Sequence, residues 1–347
     1  MLPPSRAQAG DTPVRSTDND AAVARLSAVQ KGYLHDLYIK YLVPRAHLLP
    51  PRPPLINIGT YVRSAAIDTL VDQWLEISGT AGLRCQIVSL GSGSDTRFWR
   101  IAAHNLQTYV EVDFPEITTK KAMAIRKSKD LMAGLGDPAA VSLAQGGTAL
   151  HSARYHLLPG DLRLPPSENL EPALFSPIDA DHPAILDPSL PTLLLFECVL
   201  AYISPLSSRR LLEWFVAMSQ KGQDGVLGCV VYEMFGLNDA FGRVMINNLR
   251  ERHISLPGVE PYQTIESLSS RFLETNFSAA VALTLKEIRR AYTETDELER
   301  ISKLEFLDET EELDLVLAHY AISWGLRLSS TKSSTIWGHW GLTRKRD

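Results

Sequence analysis

Cysteine is scarce in this 347-residue chain, which has only Cys85, Cys198 and Cys229. Their spacing matches no zinc site and builds no disulfide framework. All three fall in or beside apolar, strand-like runs and read as small buried residues of a protein kept in a reducing compartment. Long hydrophobic runs are missing too. The strongest, Leu193–Ala201, contains Glu197 and is too short to span a bilayer. The opening Met1-Leu-Pro-Pro-Ser-Arg6 lacks the apolar stretch of a signal peptide. A soluble cytoplasmic protein is expected. No charge of one sign dominates. The net charge is −5, which gives no global electrostatic case for a nucleic-acid partner. The cluster Lys120, Lys121, Arg126, Lys127 and Lys129 reads as a solvated helix face. No internal repeat is visible.

What is present is an alternation of helical and strand periods. Residues 1–20 are polar, proline-containing and aperiodic, and read as disordered. Ala21–Tyr41 reads as one helix, and the prolines of Pro44–Pro54 as an extended connector. After Asn57–Arg63, the stripe Ile67, Leu70, Val71, Trp74 and Leu75 marks a helix packed on a core, ended by Ser78-Gly79. Strands are predicted at Cys85–Leu90, Thr108–Asp113, from Tyr155, over Pro191–Leu200, at Gly225–Glu233, at Ala279–Leu285 and at His319–Leu328. The run around Leu193–Phe196 is apolar without alternation, as a strand covered on both faces requires. Residues 131–153 read as a loop insertion, 163–191 as a proline-rich connector and 331–347 as a loose tail. The alternation argues for a doubly wound α/β sheet. A single domain is expected over 21–330, with a helical cap at 21–80, a cofactor-binding core at 84–235 and a helical insertion at 236–278. The core closes at 279–328.

The chain is organised around Gln86-Ile-Val-Ser-Leu-Gly-Ser-Gly-Ser-Asp-Thr96 and Tyr109-Val-Glu-Val-Asp-Phe-Pro115. A β-branched run ends in Gly91-Ser-Gly93, and the next strand ends in Asp113, where such folds place an acid on ribose hydroxyls. The third glycine of a dinucleotide fingerprint is missing, since Thr96 stands there, and no P-loop lysine follows. A shortened glycine turn with a following acid suits a nucleoside without phosphates, of which S-adenosylmethionine is the common one. Ligands of such sheets sit beyond the carboxyl ends of the strands. There the sequence puts Gly91, Gly93, Asp113, Asp161 and Glu197. Glu197 lies inside an apolar strand, which is costly unless it is paired or faces a ligand. Arg25 and Arg63 are candidate carboxylate binders, because a planar guanidinium can hold both oxygens.

These residues, in this order, resemble the leucine carboxyl methyltransferases, which methylate the C-terminal leucine of the protein phosphatase 2A catalytic subunit. The resemblance runs from about Asp20 to about Trp324, in the manner of a fungal-like member. It rests on Lys31-Gly-Tyr33, Gly59-Thr-Tyr-Val-Arg63, Leu90–Thr96, Glu111–Pro115, Gly160-Asp-Leu162, Glu197–Tyr202, Phe241–Leu249 and Leu304–Glu309. It implies a class I S-adenosylmethionine-dependent methyltransferase, a Rossmann-like doubly wound sheet with N-terminal helices and an inserted helical segment. It implies that Arg25, Arg63, Gly91, Gly93, Asp113, Asp161, Leu162 and Glu197 bind S-adenosylmethionine, and that Arg63 and Tyr202 lie at the acceptor carboxylate. Arg25 stands where relatives are expected to carry Lys. The partner implied is the phosphatase tail, with neither nucleic acid nor membrane, and the enzyme is expected to act as a monomer without a metal. A tRNA wybutosine methyltransferase relative, a small-molecule carboxyl methyltransferase and a non-catalytic phosphatase-binding protein stay open as alternatives. An α-carboxylate is ionised at pH 7, with a reference pKa of about 3.5, so the reaction needs no general base.

Overall fold

A computed structural model describes residues 11–101, 103–177, 183–222, 225–308, 310–329 and 335–345. Among these, nine strands form one sheet in the order β3-β4-β5-β2-β1-β6-β7-β9-β8. The strands are β1 Cys85–Leu90, β2 Leu106–Asp113, β3 Ser142–Ala144, β4 Ala149–His151 and β5 Tyr155–Pro159. They continue with β6 Thr192–Glu197, β7 Leu227–Met234, β8 Ala279–Thr284 and β9 Tyr320–Arg327. β5, β2, β1, β6 and β7 run parallel, and β9 enters antiparallel between β7 and β8. The chain leaves β1 toward β2 and returns on its other side with β6, so the crevice of a doubly wound sheet opens between those strand ends.

Side-chain alternation explains why the central strands carry apolar residues toward both faces. Ile87, Leu193, Leu195 and Val230 face one buried layer, while Val88, Leu194, Phe196 and Val231 face the other. The first layer packs on helices placed before the sheet. Helix α1 (Thr12–Gln30) is followed by one turn, α2 (Ile39–Leu42), and then by α3 (Pro54–Thr80). The sequence expectation of one helix over Ala21–Tyr41 is corrected at Gly32, whose φ of +82° breaks the helical run. Residues 1–10 lie outside the described residues, but 12–20 are helical rather than disordered. α3 starts at Pro54, proline being favoured at a first helical turn. It therefore absorbs Asn57–Arg63 as well as the apolar stripe.

Three further expectations are corrected. The segment 131–153 is no plain loop: β3 and β4 form an antiparallel hairpin that pairs with β5 and widens the sheet. The tail folds back, because Trp337 and Trp340 are buried. The Trp337 ring lies 4.1 Å from Trp74, and Trp340 Nε1 donates to the Leu70 carbonyl at 2.9 Å. Lys121 is not on a solvated face, since it is 3 % exposed and paired with the buried Glu111. The connector at 163–191 carries two short helices, α7 (Pro166–Asn169) and α8 (Glu171–Phe175). No helix among the described residues is long and apolar enough to cross a membrane.

Candidate active site

All nine residues singled out in the sequence line one cavity of about 700 Å³ at the carboxyl ends of β1, β2, β5 and β6. That volume is in the range of ligand sites, about 300–1,000 Å³. The glycine turn forms one corner. Gly91 and Gly93 have φ of +67° and +50°. A Cβ on Gly91 would fall 2.4 Å from Val199 Cγ2, and one on Gly93 would fall 2.7 Å from Asp18 Oδ1. Backbone is thereby bared to the cavity where side chains would fill it.

Asp113 closes β2. Its two oxygens accept from Gly93 N–H and from Phe114 N–H, each at 2.7 Å. Burial raises its carboxyl to about 6, against those two hydrogen bonds and with help from the charge of Asp18. A carboxylate held here has capacity for further donors, and a ribose would supply them. Asp161 and Leu162, after β5, reach the same cavity. The Asp161 carboxylate is gripped by Arg163, at 2.8 Å from Nε and 2.6 Å from a terminal nitrogen. Arg163 in turn holds Asp11 ahead of α1, at 2.6 and 2.7 Å.

Two cations face the cavity differently. Arg25 is 6 % exposed, and its guanidinium donates to Asp36 at 2.6 Å and to Ser64 at 3.1 Å. Its charge is answered by Asp36, inside the protein. Arg63, on α3, is held loosely. Its Nε lies 3.4 Å from Glu197 and makes no hydrogen bond, and its guanidinium sits 5.1 Å above the Tyr232 ring. That ring stacks on Tyr320 at 5.5 Å and 13°. Burial alone would lower the Arg63 pKa. The Glu197 carboxylate, together with Tyr232 and Cys198, outweighs it, and the group stays charged. Tyr202, Tyr232 and Tyr320 line the wall, and burial pushes each phenol well up. None of them ionises near neutrality.

Sequence reasoning missed several members. Arg97 is 2 % exposed and joins Glu197, Asp95 and Asp68 at 2.9, 2.6 and 2.9 Å. It is the paired partner that Glu197 needs, and the signal was that need together with an arginine one residue past the glycine motif. Tyr232 and Tyr320 sit in strands whose apolar pattern hides them. On α10 (Ala240–Glu251), after β7, Met245, Asn248 and Leu249, with the C-cap residue Arg252, follow an i, i+3, i+4, i+7 stripe that borders the cavity. Asp18, on α1, fell in the stretch read as disordered. Among the described residues no histidine lines the cavity, and no acid–histidine–cysteine group could hold a metal.

A cavity of this shape can take a nucleoside at Asp113 and an anion at Arg63. The resemblance seen in the motifs extends to nearly the whole chain. The model of the family described as Leucine carboxyl methyltransferase matches residues 13–216. A protein named leucine carboxyl methyltransferase 1 from Cryptococcus neoformans var. neoformans is 43 % identical, over 94 % of this chain and 98 % of its own. Its namesake from Aspergillus fumigatus is 38 % identical, over 96 % and 87 %. That from Rattus norvegicus is 34 % identical, over 91 % and 90 %.

Proposed function

This chain belongs to the leucine carboxyl methyltransferase family, and on that premise we propose that it methylates the C-terminal leucine α-carboxylate of the protein phosphatase 2A catalytic subunit. The methyl donor is S-adenosylmethionine, which supplies an electrophilic methyl group on a positively charged sulfur. The residues present suit it: the bared Gly91–Gly93 turn, Asp113 at the end of β2, and Asp161 and Leu162 after β5.

The observation that carries the acceptor reading is Arg63. It is a half-buried cation whose buried Nε makes no hydrogen bond and that opens onto the cavity. Its role is delicate. An arginine that binds a carboxylate orients it but also stabilises it in the ground state, and only a contact better in the transition state helps. Glu197, 3.4 Å away, shares the Arg63 charge and tempers that penalty. Arg97 fixes Glu197 from behind. The task of these side chains is alignment, which can correspond to effective molarities of about 10⁵–10⁸ M. The aromatic wall of Tyr202, Tyr232 and Tyr320 excludes water, which favours a step that neutralises two opposite charges. Tyr202 stays protonated and can donate to the acceptor carboxylate.

The half-buried stripe of α10 offers Met245 and Leu249 to an apolar side chain beside the carboxylate. A cytoplasmic location agrees with three cysteines that are all free thiols. The test is a methyl-transfer assay with purified catalytic subunit, intact and lacking its last residue. Transfer to the intact subunit alone is expected. Equal transfer to both would remove the terminal leucine from the reading.

A further inference from the structure

Two carboxylates converge on Gly93. Its N–H donates to Asp113 Oδ2 at 2.7 Å, and a side-chain carbon on its Cα would meet Asp18 Oδ1 at 2.7 Å. Asp18 comes from α1, the helix laid across the cavity, and its side chain is only 9 % exposed. One oxygen is satisfied: Oδ2 pairs with Lys120 Nζ at 3.1 Å. The other, Oδ1, is buried and accepts no hydrogen bond. An unbonded carboxylate oxygen away from water is costly, so the position asks for a donor. The same two acids feel each other, since the charge of Asp18 is among the causes that hold the Asp113 carboxyl up. Asp18, Gly93 and Asp113 all line the cavity. A vicinal diol has two hydroxyl donors to share between two acids.

We propose that Asp18 is a second ribose-binding residue, whose Oδ1 accepts a hydroxyl of the cofactor's sugar while Asp113 accepts the other. This rests on the cofactor reading of the cavity. It also gives α1 a tie to the core that runs through the ligand. Toward its C-terminal half the helix is fixed by the buried Arg25–Asp36 pair, whereas its N-terminal half is fastened near the cavity by Arg163–Asp11, Arg15–Glu116 and Arg252–Asp20, each with at least one partner 40 % exposed or more. Exposed pairs of that kind contribute little individually, so the ligand's contact with Asp18 would add to the hold on this half of the helix.

Binding calorimetry with S-adenosylhomocysteine and with its 2′-deoxy and 3′-deoxy analogues tests the assignment. Asp18→Ala is expected to weaken S-adenosylhomocysteine about tenfold or more, the usual scale for a hydrogen bond to a charged group. For one of the two analogues the wild-type and Asp18→Ala affinities should coincide, because the hydroxyl that Asp18 would hold is already gone. Asp18→Asn, which keeps an acceptor, should fall between. Unchanged affinity in Asp18→Ala overturns the proposal. So does an equal loss for all three ligands. Asp113→Ala at wild-type affinity would instead move the ribose away from this corner, and the proposal would fall with the cofactor placement.

Discussion

At the scale of single residues, the site runs on charges kept in unequal balance. Arg25 has a full partner in Asp36, while Arg63 has a partial one in Glu197. The second arrangement leaves a planar fork to offer. Arg63→Lys is therefore expected to lose most activity, because a point charge on a flexible stem cannot reproduce the fork. Steady-state rates that match wild type would take Arg63 out of the acceptor contact. Asp113 makes a prediction about pH. Its carboxyl sits at about 6 in the ligand-free protein. Ribose hydroxyls need the ionised form, so S-adenosylhomocysteine affinity should be flat above about pH 7 and fall toward tenfold per unit below about 6. The stability sign is the reverse. A pKa raised above its unfolded value of about 3.9 favours the fold at low pH, and that contribution is lost as pH rises through about 6. Asp113→Asn should accordingly be more stable than wild type, without ligand, at pH 8, with the gap closing toward pH 4. Thermal melts at the two pH values, alongside titrations with ligand, check both signs. A ligand affinity that stays flat down to pH 5 would contradict the assignment.

Elements place those residues, and some were easier to read than others. β6 carries the apolar run Leu193–Phe196 because both faces are covered, and that pattern needs no knowledge of distant partners. Ser204 and Pro205 announce α9 (Pro205–Ser219) locally, and the Ser204 hydroxyl does accept from Ser207 N–H. The Gly91 turn was legible for the same reason, and its geometry adds a clash that the sequence does not show. Gly91→Ala suffers both a disfavoured φ and the Val199 contact. It should lose cofactor binding, and Val199→Ala in the same chain should restore part of it. No recovery would mean that backbone strain alone decides. What was not legible depends on contacts far apart in sequence. Trp337 has no helical or strand period around it, yet it seals Trp74 on α3. Trp337→Ala should destabilise by about 3–5 kcal/mol, read from urea unfolding, and an unchanged midpoint would return the tail to a dispensable role. Asp18 and Lys121 were misread because their partners, Gly93, Lys120 and Glu111, come from other elements. A charged residue looks solvated until its buried partner is known.

At the scale of the whole molecule, the sheet brings several acids and a cation to one cavity from opposite sides of its switch point. Asp113 and Asp161 come from the β2–β5 side, and Tyr202 and Tyr232 from the β6–β7 side. Glu197 ends β6 between them, and Arg63 descends from α3 above. On the proposed reading, the N-terminal helix covers the nucleoside side and α10 flanks the acceptor side. This division predicts that the free carboxylate of the partner is both reactant and recognition element. A catalytic subunit ending in leucine amide should neither react nor compete well with the acid form, whereas the rest of the partner's surface is unchanged between the two. The measurement that tests this most directly is the position of the methyl group in the product. Mass spectrometry of the C-terminal peptide should find one added methyl on the terminal leucine of the acid-form subunit, released as methanol in mild base, and none on the amide form. A base-stable methyl group, or one on an internal residue, would contradict the account.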